Sequence, residues 1–150
     1  MKQFDRAEVV VSQISRKILI AEDEEAHLFL TQEALKINEL PHKLYAVTNG
    51  EELMDYLYHR ANYSNREIYP DPDLILLDIN MPRKNGFEAL AEIKADPNLA
   101  SIPVVILSTS KRQEDRIKAE ALKADLFIVK PLSFDVWVDA IKAVSIYWQE

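Results

Sequence analysis

The sequence predicts an α/β fold, a doubly wound five-stranded parallel sheet with helices on both faces, and three observations carry that expectation. Five short apolar runs recur along the chain, each ending at a polar residue and each followed by a helical pattern. The runs are continuously apolar rather than alternating, so both faces of each strand are buried, as in a parallel sheet sandwiched between helices. At 150 residues the chain has room for one domain, and folding can hide roughly 70% of the surface the unfolded chain exposes.

The elements follow in order. The first run, KILIA (Lys17 to Ala21), precedes a helix predicted from Glu25 to Glu39. The second, KLYAV (Lys43 to Val47), precedes a helix from Glu51 to Asn62, with Asn49 placed to cap the unpaired first-turn amides. A longer polar connection, Asn62 to Pro72, leads to the third run, LILL (Leu74 to Leu77), and a helix from Phe87 to Asp96. Pro97 and Pro103 bracket the next loop, where a helix could not continue. The fourth run, VVIL (Val104 to Leu107), leads to a helix from Arg112 to Lys123. The fifth, LFIV (Leu126 to Val129), leads to one from Ser133 to Tyr147 with Ser133 as its cap. Residues 1–16 form an N-terminal arm ahead of a domain over 17–150, and Phe4, Ala7, Val11 and Ile14 give the arm helical spacing, a face to pack on a neighbour or to fray.

Composition excludes several functions. Hydrophobic residues make up 48% and charged residues 29% of the chain, which argues against disorder and against a membrane span. A net charge of −7 opposes binding to nucleic acid phosphates or anionic lipid. With no cysteine there are no disulfides, thiolate nucleophiles or cysteine zinc sites. The first residues lack the apolar segment of a secretory signal, so a cytoplasmic location is expected. Gly50 and Gly86 are the only glycines, too few for a Walker loop or a dinucleotide fingerprint. His27, His42 and His59 match no helix-borne metal pair and read as surface or packing residues.

In an open parallel sheet the ligand site lies beyond the carboxyl ends of the strands. Glu22 and Asp23 follow the first strand, Asp78 the third, Ser108 and Thr109 the fourth, and Lys130 with Pro131 the fifth. Any one of these has an ordinary explanation as a cap or a turn, but their coincidence at four strand ends does not. Three carboxylates against one ammonium repel unless a cation intervenes. Oxygen donors without imidazole or thiolate select Mg²⁺, with Mn²⁺ possible, and magnesium keeps open positions for phosphate oxygens.

The segments ILIAEDEE (Ile18 to Glu25), LILLDINMPRKNG (Leu74 to Gly86), VVILSTS (Val104 to Ser110) and FIVKP (Phe127 to Pro131) resemble, in the correct order, the receiver domain of two-component response regulators (CheY-like). The resemblance covers about Lys17 to the C-terminus, and D-x-x-M-P-x-x-N-G is its strongest match. It implies a flavodoxin-like (βα)5 fold with strand order 2-1-3-4-5. It assigns Asp78 as phosphoacceptor, Glu22 and Asp23 as the acidic metal pair, and Asn80 as a metal ligand through its backbone carbonyl. Ser108 matches the switch hydroxyl, Lys130 the invariant lysine and Phe127 the aromatic rotamer that reports activation. Met81 and Pro82 match the turn shaping the phosphorylation loop, and Pro131 the proline usually preceded by a cis bond. Two positions depart from the pattern: Glu22 stands where many members carry aspartate, and Thr109 where a small residue is common, which implies slow dephosphorylation.

On that resemblance the chain is a phosphoacceptor signalling protein rather than an enzyme, taking a phosphoryl group from a sensor histidine kinase or phosphotransfer protein. Moving a two-state protein from 1:99 to 99:1 takes about 5.5 kcal/mol. New bonds from Lys130 (roughly 1.5–3 kcal/mol) and Ser108 (about 1 kcal/mol) supply most of it, and a partner or dimer contact can complete it. Nothing follows the fifth helix, so a protein contact is the expected output. Phe134, Trp137, Ile141, Val144 and Trp148 line one side of that helix, with Val136, Ala140, Ala143 and Tyr147 beside them. That arc is wider than a single buried face needs, so a homodimer through the fourth helix, fifth strand and fifth helix is expected. The D-P-x-L-x-x-I-P-V-V loop (Asp96 to Val105) and the lengthened connection after the second helix are similar to stand-alone regulators serving bacterial phytochromes and other hybrid kinases.

Three rivals are weaker. A haloacid dehalogenase-type phosphohydrolase needs an acid two positions after its aspartate, and here that residue is Asn80. A flavodoxin needs hydroxyls and amides in its first loop, which EDEE (Glu22 to Glu25) would not provide. A phosphorylation-independent interaction module would not need Asp23, Asp78, Ser108 and Lys130 together.

Overall fold

The computed structural model describes residues 14–149. Five strands, β1 (Arg16–Ala21), β2 (His42–Val47), β3 (Leu74–Leu77), β4 (Val104–Ser108) and β5 (Leu126–Val129), alternate with five helices, α1 (Glu25–Ile37), α2 (Gly50–Leu57), α3 (Gly86–Ala95), α4 (Gln113–Ala121) and α5 (Phe134–Lys142). The strands are all parallel in the order β2-β1-β3-β4-β5. The direction in which successive strands are added therefore reverses beside β1, and the carboxyl ends of β1 and β3 become neighbours, with Ala21 opposite Leu77.

Successive strand residues point to opposite faces, which divides the core in two. Leu19, Ala21, Ile75, Leu77, Val104 and Ile106 meet α2 and α3 through Leu53, Leu57, Ala89, Leu90 and Ile93. Ile18, Ile20, Leu74, Leu76, Val105 and Leu107 meet α1 and α5 through Ala34, Leu35, Trp137 and Ile141. Both faces are covered, which is why the strand runs do not alternate.

Asn49 and Ser133 cap their helices as expected, accepting from the amides of Glu52 and Val136. The second helix stops at Leu57, earlier than the sequence indicates. His59 and Ala61 take positive φ of 54° each, and a 3-10 turn over Ala61–Tyr63 folds the connection back. Tyr56 draws it in: its hydroxyl donates to the carbonyl of Pro70, and its ring packs on Tyr63 and Tyr69.

The fifth helix tightens after Lys142 into a 3-10 segment, Ala143–Trp148. The indole of Trp148 donates to the carbonyl of Pro41 at 2.7 Å, and Arg16 Nε to that of Tyr147 at 2.8 Å, tying this end to the β1–β2 edge. Trp137, Ile141, Val144 and Trp148 are buried, whereas Val136 and Ala143 are exposed, so the predicted double stripe splits into a core line and a surface line. Of the arm's apolar positions, Phe4, Ala7 and Val11 lie outside the described residues. The bond before Pro131 is trans, against the expected cis, and trans is the form that X–Pro bonds favour by about 0.5–1 kcal/mol.

Candidate functional site

The site residues are held by the backbone at the sheet's carboxyl rim. The amide of Glu22 donates to Val47 O (2.9 Å) and that of Asp78 to Ala21 O (3.1 Å), extending the β-ladders to the first residue beyond each strand. The amide of Lys130 donates to Ser108 O at 2.7 Å, fixing the end of β5 against β4. The loop after Asp78 closes where the Gly86 amide donates to Ile79 O. A Cβ on Gly86 would lie 2.5 Å from the carbonyl oxygen of Asp78, so the close approach requires glycine. An Asn85–Glu88 capping box then starts α3.

Within this frame lies a buried ion cluster. The Lys130 ammonium, 2% exposed, donates to Glu22 Oε1 at 2.7 Å and Asp78 Oδ2 at 3.1 Å. Its third contact is Nδ1 of His27, at 2.9 Å. The other oxygens are also engaged: Asp78 Oδ1 accepts from the Asn80 amide at 3.0 Å, and Glu22 Oε2 from the Glu24 amide at 3.3 Å. Oxygens of Glu22, Asp23 and Asp78 lie within 4.8 Å of one another, Asp23 on the exposed side. Burial raises the Glu22 carboxyl to about 7, with the Asp78 charge adding to the rise and Lys130 opposing it.

Ser108 is fully buried, and its Oγ accepts from the Ser110 amide at 3.1 Å, which leaves its O–H to donate elsewhere. Thr109 is exposed. Phe127 is half-buried against the α2–α3 side of the core, with the Arg116 guanidinium 5.8 Å from its ring centroid. Met81 is buried and Pro82 exposed, as befits a turn.

The structure thus brings Glu22, Asp23, Asp78, the Asn80 backbone and Lys130 together. It also corrects the reading of one histidine. His42 (to Leu40 O) and His59 (to Tyr69 O and Asp71) are packing residues as expected, but His27 stands in the pocket. The available signal was spacing: His27 is four residues past Asp23, and the first turn of a helix that starts at a strand end returns toward that end.

The family model for the response regulator receiver domain matches residues 18–142. The chain belongs to that family. This receiver is 37% identical over 133 residues to response regulator Rcp1 of Synechocystis sp., an alignment spanning 89% of this chain and 88% of Rcp1. Its backbone matches the crystal structure of the phosphorylated cyanobacterial phytochrome response regulator RcpA with a TM-score of 0.81 at 40% identity, covering 90% of this chain and 94% of that one. The Mn²⁺-bound form of Rcp1 superposes with a TM-score of 0.80 at 36% identity over 90% of this chain and 95% of that one. The flavodoxin-like order 2-1-3-4-5 and membership in two-component signalling are therefore established for this receiver. Among the described residues no helix is long and apolar enough to cross a membrane.

Proposed function

We propose that this receiver accepts a phosphoryl group on Asp78 from a phosphohistidine of a sensor histidine kinase or phosphotransfer protein, in a Mg²⁺-dependent relay. The observation that carries the reading is the Lys130 ammonium buried between Glu22 and Asp78, beside a third carboxylate. An excess of negative charge in a buried pocket is unfavourable for stability alone and suits a site completed by a cation and an anion.

The donor set fits a hard divalent ion: Glu22, Asp23 and Asp78 converge within 4.8 Å, and the Asn80 carbonyl belongs to the same loop. Mn²⁺ serves as well as Mg²⁺, in keeping with the Mn²⁺-bound form of Rcp1. When bound, the ion neutralises phosphoryl oxygens. The chain itself does the rest. An Asp78 carboxylate oxygen attacks phosphorus in line, a P–O bond forms as the P–N bond breaks, and the imidazole leaves with the electron pair. Lys130 then turns a donor to a phosphoryl oxygen, and the Ser108 O–H donates to another. Phe127 reports the change to the α4–β5–α5 surface.

The protein is a stoichiometric acceptor, with self-catalysed phosphotransfer and autodephosphorylation as its only chemistry, and the exposed Thr109 slows the latter. Its likeness to RcpA and Rcp1 favours a bacterial phytochrome as the kinase. Exposed Ile117, Leu132 and Val136 favour a homodimer through α4, β5 and α5. We assign 17–150 to the receiver domain, 1–16 to an arm, and the protein to the cytoplasm.

Incubation with acetyl phosphate and Mg²⁺, read by intact mass, tests the acceptor: wild type gains one phosphoryl group and Asp78→Asn none. Labelling that persists in Asp78→Asn, or proceeds equally in chelator, overturns the acceptor or the metal assignment respectively. Light scattering with and without beryllofluoride tests the dimer, and a monomer in both conditions refutes it.

A further inference from the structure

We propose that His27 is a positioning residue for Lys130: its neutral imidazole accepts the third N–H of the ammonium and holds that group in the pocket. A lysine ammonium has three donors and no acceptor, so the 2.9 Å contact between Nζ and Nδ1 is an N–H of Lys130 directed at the Nδ1 lone pair. The proton of the imidazole is thereby placed on Nε2, which faces Glu24 Oε2 at 3.4 Å. The ring packs on Trp137, with centroids 5.4 Å apart, and the Trp137 indole is itself held by a bond to the buried Thr31 Oγ1 at 3.2 Å. The acceptor is therefore oriented before any ligand arrives.

The three acceptors of Lys130 are not equivalent. Asp78 is the group that is modified in the function proposed above, on which the second readout below rests. Glu22 belongs to the carboxylate set a cation would claim. His27 alone stays with Lys130 through both events, and being neutral it adds nothing to an already negative cluster. A carboxylate at position 27 would hold the lysine too, but with one more repelling charge.

Two substitutions separate the acceptor from the ring. His27→Phe keeps a ring against Trp137 and removes the acceptor; His27→Asn removes the ring and keeps an acceptor oxygen on Cγ where Nδ1 stood. The first readout, reductive methylation of Lys130 by formaldehyde with cyanoborohydride as the hydride donor, in chelator and followed by peptide mass spectrometry, does not depend on phosphorylation. The second is the rate of labelling by acetyl phosphate with Mg²⁺. In His27→Phe, Lys130 is expected to methylate about tenfold faster and Asp78 to label about tenfold slower, equivalent to about 1.4 kcal/mol. His27→Asn is expected to restore both to within about threefold, equivalent to about 0.65 kcal/mol. Should His27→Phe fail to fold, His27→Met replaces it. Wild-type methylation in the apolar variant overturns the proposal, and so does an Asn variant as reactive as the Phe variant, because ring packing would then be the cause. If wild type itself takes no label, the phosphoacceptor reading falls, while methylation still decides what His27 does.

Discussion

Two lysines at opposite ends of the sheet each satisfy three N–H donors, and they do so with different partners. Lys94, on α3 at the amino end, donates to the carbonyls of Ala100 and Ile102 (3.0 and 2.9 Å) and to Asp125 Oδ2 at 3.2 Å. Asp125 Oδ2 in turn accepts from the Val104 amide at 2.7 Å. Two of those acceptors are backbone, and one charge answers one charge. Lys130 has only side-chain acceptors, two of them carboxylates with a third close by. The first arrangement is electrically closed and clamps the loop before β4. The second is open, because the negative excess can be met by a cation and the lysine can exchange one acceptor for another. Lys94 is the less enclosed of the two, its side chain 11% exposed against 2% for Lys130 and its Asp125 partner at the surface, so enclosure and the charge count around the ammonium together set the two lysines apart.

The sharpest way to break that contrast is to remove each ammonium and vary the metal. Lys130→Met leaves Glu22 and Asp78 buried without their cation, and in chelator it should cost about 3–5 kcal/mol in urea unfolding. Saturating Mg²⁺ should recover much of that loss, since the ion replaces the missing charge. A deficit equal in both conditions would mean that the acidic cluster binds no metal. Lys94→Met should cost less, about 2 kcal/mol, by leaving the carbonyls of Ala100 and Ile102 without this donor and Asp125 with only the Val104 amide. That loss should be the same with or without Mg²⁺, and Asp78 labelling should stay within about twofold of wild type; a metal-dependent loss would erase the distinction.

The smallest effect is a pH dependence confined to the carboxyl rim. With Glu22 raised from 4.5 to about 7, metal binding must displace its proton below that value. Mg²⁺ affinity, followed by calorimetry, should rise about tenfold per pH unit up to about 7 and level off above it, and Glu22→Gln should flatten the profile. Without metal the sign for stability is opposite. The folded carboxyl keeps its proton to a higher pH than the unfolded one, so this group's contribution is full below 4.5 and is lost as pH rises through about 7. A melting temperature in chelator that rises over that interval would contradict the assignment.

The lysine contrast also shows which features are local. Five apolar runs, the caps at Asn49 and Ser133 and the residue types at strand ends depend on neighbours a few positions away, and each appears in the structure where the residues place it. The end of α2 at Leu57 was not legible in the same way. It depends on Tyr56 packing against Tyr63 and Tyr69, contacts that periodicity does not register. His27 escaped for a similar reason, since its spacing from Asp23 acquires meaning only once a partner 103 residues away is brought beside it.

Chain order and residue type alone therefore specified the layers, the strand runs and the identity of the groups at the rim, because continuous burial and helix periodicity are written at short range. The three-dimensional packing decided how those groups share charge: which oxygens of Glu22 and Asp78 face Lys130, how far burial raises Glu22, and that an imidazole completes the set. Those outcomes depend on distances and on exclusion from water, and neither exists until β1, β3 and β5 have been brought to the same edge of the sheet.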